Sequence, residues 1–392
     1  MSQQLINHSP DLKGLQDEGY AVKIKHGFLL MTNVPYVNSR REIMYGTLVS
    51  NLTLAGDITD TPDTHVAHFI GEFPCDKNGV EISKIKSNSG HQTLAEGLVI
   101  DHSFSSKPSG GYKNYYEKMK TYVAIISGPA EAINPNVSAK TFPVIEPDEE
   151  DESVFHYIDN ASSRAGINPV NKKLELGKVA IIAVGGTGSY VLDFVAKTPA
   201  KEIHVFDGDR FSQHNAFRSP GAPSVDELRA KPQKVTYFKN QYSKMRRNIF
   251  AHDYYIDASN VEELRGMDFV FLCLDRGKDK KLIIEKLEEF GIPFVDVGMG
   301  VYLVDDALGG VLRVTASTAR KREHVNDRIP FAGDGDNDEY AQNIQISELN
   351  ALNAALAVIK WKKLFGFYKD FEDEHHCTYT IDGNALVNEE QP

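Results

Sequence analysis

The sequence predicts an α/β protein, a Rossmann-like doubly wound and mostly parallel sheet, preceded by a separate α+β domain. Three observations carry that expectation. Beyond residue 155 short apolar runs alternate with helical ones, the pattern of strands each followed by a helix. A glycine-rich turn, Ala183-Val-Gly-Gly-Thr-Gly-Ser189, stands between the first such strand and the first such helix. An acidic stretch with two prolines, Pro143-Val-Ile-Glu-Pro-Asp-Glu-Glu-Asp-Glu152, cannot bury itself and separates the two parts as a linker.

The chain is therefore expected to divide into an N-terminal α+β domain over residues 1–142, a linker over 143–154, an α/β domain over 155–365 and a tail over 366–392. In the first part, Ala21 to Lys25 and Phe28 to Thr32 read as short strands joined through His26-Gly27. Thr64 to Ile70 is a further strand, and Tyr112 to Ile126 a helix followed by a strand. In the second, Lys178 to Val184, Glu202 to Phe206, Phe269 to Cys273 and Pro293 to Val297 are strands, with helices from Ser189 to Ala196 and from Lys278 to Phe290. Ile346 to Leu364 is a long helix with Leu349, Leu352, Ala355, Leu356 and Ile359 on one face and Gly366 beyond its end.

A chain of 392 residues with 43 Lys and Arg against 55 Asp and Glu has a net charge of −12, which speaks against nucleic acid or an anionic membrane as a partner. No run of about 18 apolar residues is present to cross a bilayer. The cysteines, Cys75, Cys273 and Cys377, form no CxxC pair, so neither a zinc ribbon nor a disulfide framework is expected, and a reducing, cytoplasmic setting fits.

The chemistry begins at the glycine turn. Gly185, Gly186 and Gly188 let backbone N–H groups at a helix start approach phosphate. Asp207 ends the next strand, about twenty residues on, where a ribose-binding carboxylate sits. To this point an NAD-dependent oxidoreductase reads equally well. The continuation separates the classes: Asp207-Gly-Asp-Arg-Phe-Ser-Gln-His-Asn-Ala-Phe-Arg218, then Lys231-Pro-Gln-Lys234, then Phe271-Leu-Cys-Leu-Asp275. Residue types such as these are what attack on the α-phosphorus of a triphosphate requires, because several cations must hold it while a carboxylate oxygen approaches. A dehydrogenase has no such need.

These segments resemble the ThiF/MoeB/E1 superfamily over roughly Phe155 to Ile359, and as a whole the chain resembles the E1-like components of bacterial ubiquitin-like conjugation operons. The resemblance implies an ATP-dependent adenylyltransferase that activates the C-terminal carboxylate of a ubiquitin-like protein for a downstream E2-like enzyme or acceptor. It implies that Asp207 binds the ribose hydroxyls, that Asp209 is a further cofactor-binding residue, that Asn215 and Arg218 meet the phosphates, and that Lys234 meets the triphosphate, with Lys231 as the competing lysine. Asp275 would hold Mg²⁺. Arg164, upstream of the first strand, would reach the nucleotide of a neighbouring subunit, making a homodimer with composite sites.

Several positions depart from the family pattern. Ala183 replaces the first glycine of the turn and Phe211 replaces a valine. The family's paired zinc cysteines are missing, so zinc is not expected. No cysteine lies between Ala316 and Asn343, where many relatives carry an acyl-accepting thiol in a crossing loop. Ser317 and Thr318 in that loop, or Cys377 beside His375 and His376, are the remaining acyl acceptors. Asp334-Gly-Asp-Asn-Asp338 lacks the glycine and glutamate of a calcium loop. His65, His68, Cys75, His91 and His102 fit no metal spacing. Gly298 and Gly300 are expected to leave room for a slender substrate tail beside the nucleotide. A protein that keeps the fold but only docks a partner is the third reading.

Overall fold

The computed structural model describes residues 2–147, 153–275, 277–331 and 344–392. The acidic residues 148–152 and the stretch Asp334–Asp338 lie outside the described residues. Contacts group residues 1–152 and 157–164 into one unit and residues 153–156 and 165–392 into a second. Among the described residues no helix is long and apolar enough to cross a membrane.

In the first unit, helices α1 (Ser2–His8) and α2 (Pro10–Asp17) precede strands β1 (Ala21–Lys25), β2 (Phe28–Val37) and β3 (Ile43–Asn51). A two-residue pair, β4 (Leu54–Ala55) and β5 (Ile58–Thr59), is followed by β6 (Val66–Ile70), β7 (Lys86–Ala95) and β8 (Leu98–Ser105). The six longer strands form one antiparallel sheet in the order β1-β2-β3-β6-β8-β7. β2 outruns the expected strand because an irregularity between Met31 and Val34, with Asn33 at a φ of 60°, carries pairing onward to Val37. Helix α3 (Tyr115–Ile133) packs Tyr115, Met119, Tyr122 and Ile126 on Leu29, Met31, Leu48, Phe69 and Phe104. The strand expected after a shorter helix is absent. Val123 to Ile126 looks β-forming, but Asn114 caps the helix by accepting from Glu117 N at 2.9 Å, and burial recurs at 115, 119, 122, 123 and 126. The short helix α4 (Asn160–Arg164) also belongs to this unit.

The second unit begins with α5 (Asn168–Asn171) and β9 (Lys178–Ile182), then α6 (Gly186–Ala196), β10 (Glu202–Phe206), α7 (Gln213–Ala216), α8 (Val225–Ala230), α9 (Lys234–Tyr242) and β11 (Ile249–His252). It continues with β12 (Phe269–Leu272), α10 (Gly277–Phe290), β13 (Phe294–Val304), β14 (Ala307–Ser317), α11 (Val325–Arg328), α12 (Ser347–Leu364), β15 (His376–Thr380) and β16 (Ala385–Glu389). The eight strands lie in the order β11-β10-β9-β12-β13-β14-β15-β16. The first five run parallel, and the last three add on antiparallel. This is the doubly wound, mainly parallel fold expected. Both faces are covered, which is why β9 and β12 read as continuous apolar runs. One core packs Val179, Ile181, Phe269, Phe271 and Val295 against α6, α9 and α12, whereas the other packs Ile182, Val270, Leu272 and Phe294 against Ile283, Ile284 and Leu287 of α10.

Two features differ from the sequence reading. The segment taken as a tail from residue 366 adds β15 and β16 to the sheet. Helix α12 buries Asn350, Asn353, Ala354, Ala357, Val358 and Trp361, while Ile359, grouped by its spacing with the apolar face, is 41% exposed. The inner face carries asparagines because α12 lies over the glycine turn as well as over the core, so apolar spacing alone misplaces it.

Candidate active site

The parallel strands β9, β10, β12 and β13 deliver their carboxyl ends to one cleft of about 240 Å³, the position where an open α/β sheet takes ligands. Gly185 and Gly186 at the start of α6, Asp207 and Asp209 after β10, Arg218, Lys234, and Asp275 after β12 all line it. Residues scattered over ninety positions are thus brought together by the fold.

The glycine turn is shaped by backbone demands. Ala183 has a φ of 70°, a left-handed conformation that strains any residue with a Cβ. The resemblance places a glycine there, and this backbone gives the physical reason. A methyl added at Gly188 would overlap the carbonyl oxygen of Ala183, and at Gly186 it would meet the Asn350 side chain. Gly188 therefore packs the turn and does not line the cleft itself.

Asp207 is 3% exposed and accepts from the backbone N–H groups of Val184 and Asp209, both at 2.9 Å. Lys234, first residue of α9, is 6% exposed. Its Nζ lies 2.7 Å from an Asp209 oxygen and 3.6 Å from Asp207. Lys231 instead ends α8 on the surface with a φ of 46°, so the structure puts Lys234, not Lys231, in the cleft. Tyr255, which also lines it, hydrogen-bonds Asp209 through its hydroxyl.

Asn215 is buried beneath the cleft rather than on its wall. Its Oδ1 accepts from Ser212 N at 2.8 Å and its carbonyl accepts from Arg218 N at 3.1 Å, so it fixes the turn that aims Arg218. The Nδ2 of Asn215 and the Nε of Arg218 are buried without a hydrogen-bond partner among the described residues. Burial lowers the Arg218 pKa, and the carboxylates of Asp275 and Asp209 push it back. A half-buried guanidinium with its Nε short of an acceptor is suited to an anion. Asp279, on the first turn of α10, joins Asp275 in lining the cleft. Both are hard oxygen donors of the kind Mg²⁺ takes, while among the described residues no group of three or more His, Cys, Asp or Glu side chains is placed to hold a metal ion by itself.

The acyl-acceptor expectations meet a different environment. β13 and β14 pair with Phe294 opposite Ser317 and Gly298 opposite Arg313. Ser317 and Thr318 thus sit at the far end of β13 from the cleft, four residues or roughly 13 Å from Gly298. Ser317 is a buried strand residue, 1% exposed, donating to Glu288 at 3.3 Å. The Thr318 hydroxyl lies 3.0 Å from His375 Nε2, but at that same far end. Cys377 is buried in β15 opposite Val314, and burial pushes its thiol up to about 11. The adjacent histidines do not activate it, because burial lowers both of their pKa values, that of His376 to about 4. The fold does not bring these three positions to the cleft. Gly298 is also explained otherwise, since an added Cβ would lie 2.6 Å from Arg313 Nη2; the glycine makes room for that guanidinium. Arg164 lies in the first unit, exposed, with its guanidinium 5.8 Å from the Phe142 ring centre.

Residues 156–333 match the ThiF family model. This span of the chain is a ThiF-family domain. Residues 10–160 match a domain of unknown function, DUF6791. No curated protein sequence matches the chain. Among solved structures, PaaA is similar at 18% identity, with 57% of this chain and 75% of that chain covered and a TM-score of 0.43. E. coli MccB, solved with ATP, is similar at 17% identity, with 59% and 69% covered and a TM-score of 0.45.

Sequence reasoning missed Asn350, Asn353, Tyr255 and Asp279. Asn350 accepts from the Thr187 hydroxyl at 2.9 Å and donates to the Arg218 carbonyl at 3.4 Å, tying the glycine turn to the arginine segment. The available signal was two asparagines three apart inside a helix that they do not favour.

Proposed function

We propose that this ThiF-family domain uses ATP to adenylate the C-terminal carboxylate of a ubiquitin-like protein, and that the acyl group passes to a downstream E2-like enzyme or acceptor. The observation that carries the reading is the convergence of the glycine turn, Asp207, Arg218, Lys234 and Asp275 on one cleft. Asp207 takes the ribose, and the N–H groups at the start of α6 face the phosphates. Lys234 is held in place by Asp209 until the triphosphate arrives and competes for it. Arg218 supplies a desolvated positive charge whose interaction strengthens as charge shifts toward the leaving group.

The tail carboxylate oxygen bonds to the α-phosphorus while the bond to the bridging oxygen breaks. Acyl-adenylate and pyrophosphate result. Asp275 with Asp279 would hold Mg²⁺, which when bound neutralises phosphate charge. The positions of Ser317, Thr318 and Cys377 support transfer without an acyl intermediate on those side chains. In this reading the chain works as a homodimer in which Arg164 completes a neighbour's site, and the first unit recognises the protein partner.

The test is pyrophosphate exchange into ATP with the purified ubiquitin-like partner, comparing its free carboxyl terminus with an amidated one. Exchange that needs the free carboxylate and collapses in Arg218→Ala supports the reading. Equal exchange with the amidated partner would sink it.

A further inference from the structure

The cleft has a polar feature that the adenylation chemistry leaves unused. Asn353 projects from α12, is 0% exposed and lines the cleft beside Gly298 and Met299. Its Nδ2 donates to the Gly298 carbonyl at 3.0 Å, and its Oδ1 has no hydrogen-bond partner among the described residues. A carbonyl can only accept, so the Gly298 contact fixes which end of the amide faces it and leaves Oδ1 as a buried acceptor. Leaving such an atom unmatched is costly.

Position in the sheet says what kind of donor it meets. Asp207 follows β10 and Gly298 lies on β13, and the strand order β10-β9-β12-β13 separates them by three steps. At about 4.8 Å per step that is roughly 14 Å. With Asp207 on the ribose, Asn353 stands beyond the phosphates, at the acyl end of the cleft. Gln345 lines the same cleft, and its Oε1 is likewise buried without a partner among the described residues. Both atoms are acceptors, which a carboxylate cannot satisfy and an amide N–H can.

We propose that Asn353 is a specificity-determining residue whose Oδ1 accepts the N–H of the last peptide bond in the substrate tail. The inference rests on the adenylation reading and deepens it. The substrate is then a peptide chain end, selected over carboxylic acids that have no N–H next to the reacting residue.

The test uses two acyl-sulfamoyl adenosines, non-hydrolysable analogues of an acyl-adenylate. One carries acetylglycyl-glycine and the other the same tail with an ester oxygen replacing the last N–H. Binding of each, and of Mg·ATP, to the full chain is measured by calorimetry. Wild type should bind the amide analogue about tenfold more tightly than the ester. Asn353→Leu should erase that ratio, and Asn353→Gln, which keeps both an N–H donor for the Gly298 carbonyl and an acceptor oxygen, should retain a preference for the amide. Binding of Mg·ATP is the control that the nucleotide end of the cleft is intact in each protein.

Equal binding of the two analogues to wild type, or a ratio that survives in Asn353→Leu, overturns the proposal while leaving adenylation standing. Failure of wild type to bind ATP and both analogues overturns the adenylation reading and this inference together. If Asn353→Leu does not fold, the wild-type ratio decides alone.

Discussion

Replacing Gly188 with alanine tests how the glycine turn is built. A Cβ there would overlap the Ala183 carbonyl oxygen and come within 3.0 Å of the Cys273 Cβ. Neither neighbour yields easily, since Ala183 N is bonded to the Phe206 carbonyl at 2.8 Å and Cys273 N to the Ile182 carbonyl at 2.9 Å. Overpacking typically costs about 1–3 kcal/mol, and contact with backbone puts this site near the upper end. The gain in helix propensity offsets about 1 kcal/mol, so a net loss of about 2 kcal/mol is expected. For a unit of this size that lowers the melting temperature by roughly 4–8 °C. On the proposed function the loop must also shift at the phosphate end of the cleft, so Mg·ATP affinity should fall at least tenfold. Thermal denaturation with and without Mg·ATP measures both. An unchanged or raised melting temperature with intact ATP binding would refute the packing argument, leaving only the propensity gain.

Ala183→Gly should act in the opposite direction, because relief of a left-handed alanine, about 1–2 kcal/mol, exceeds the glycine entropy cost of about 0.5–1 kcal/mol; a fall in melting temperature would contradict this. Lys280 Nζ lies 2.9 Å from Asp296, which is 0% exposed and also bonds Arg313, so Lys280→Met should cost about 3–5 kcal/mol in chemical denaturation, and a cost below 1 would show the pair is dispensable. Cys377 should resist iodoacetamide at pH 8 in the native protein and react after unfolding, since its thiol is buried and pushed up to about 11; rapid native labelling would revive it as a nucleophile. His376 is held near 4 from an ordinary 6.5, chiefly by burial. The unfolded chain therefore takes up more protons between those values, and stability that is full above pH 6.5 declines as pH falls toward 4, by about 2 kcal/mol at pH 5. His376→Gln should flatten that slope in urea titrations at pH 7 and 5, and an unchanged slope would remove His376 from the account.

Much of the site was legible because its chemistry is local in sequence. The glycine turn follows its strand directly, Asp207 ends the next one, and Arg218 and Lys234 follow within one connection. What was not legible depends on register and on helix rotation. Whether Ser317 and Thr318 reach the nucleotide turns on how β14 pairs with β13, and no short motif states that Ser317 faces Phe294. Asn353 went unseen because α12 was rotated to its apolar residues, whereas the helix also covers a polar cleft. Tyr112 to Ile126 illustrates a competing signal, in which a β-branched run was outweighed by an asparagine cap and helical spacing of the buried positions. The β15-β16 extension escaped notice because edge strands that add antiparallel to a parallel sheet carry no crossover helix to announce them.

Thermal stabilisation by ligand reads whether the cleft holds a nucleoside triphosphate through Arg218, Lys234 and Asp275. Mg·ATP at about a hundred times its dissociation constant should add roughly 2.7 kcal/mol to the native state. The shift should shrink in Arg218→Ala and Asp275→Ala, and NAD should give none. Stabilisation by NAD with no response to Mg·ATP, or an ATP response unchanged in both variants, would contradict the account.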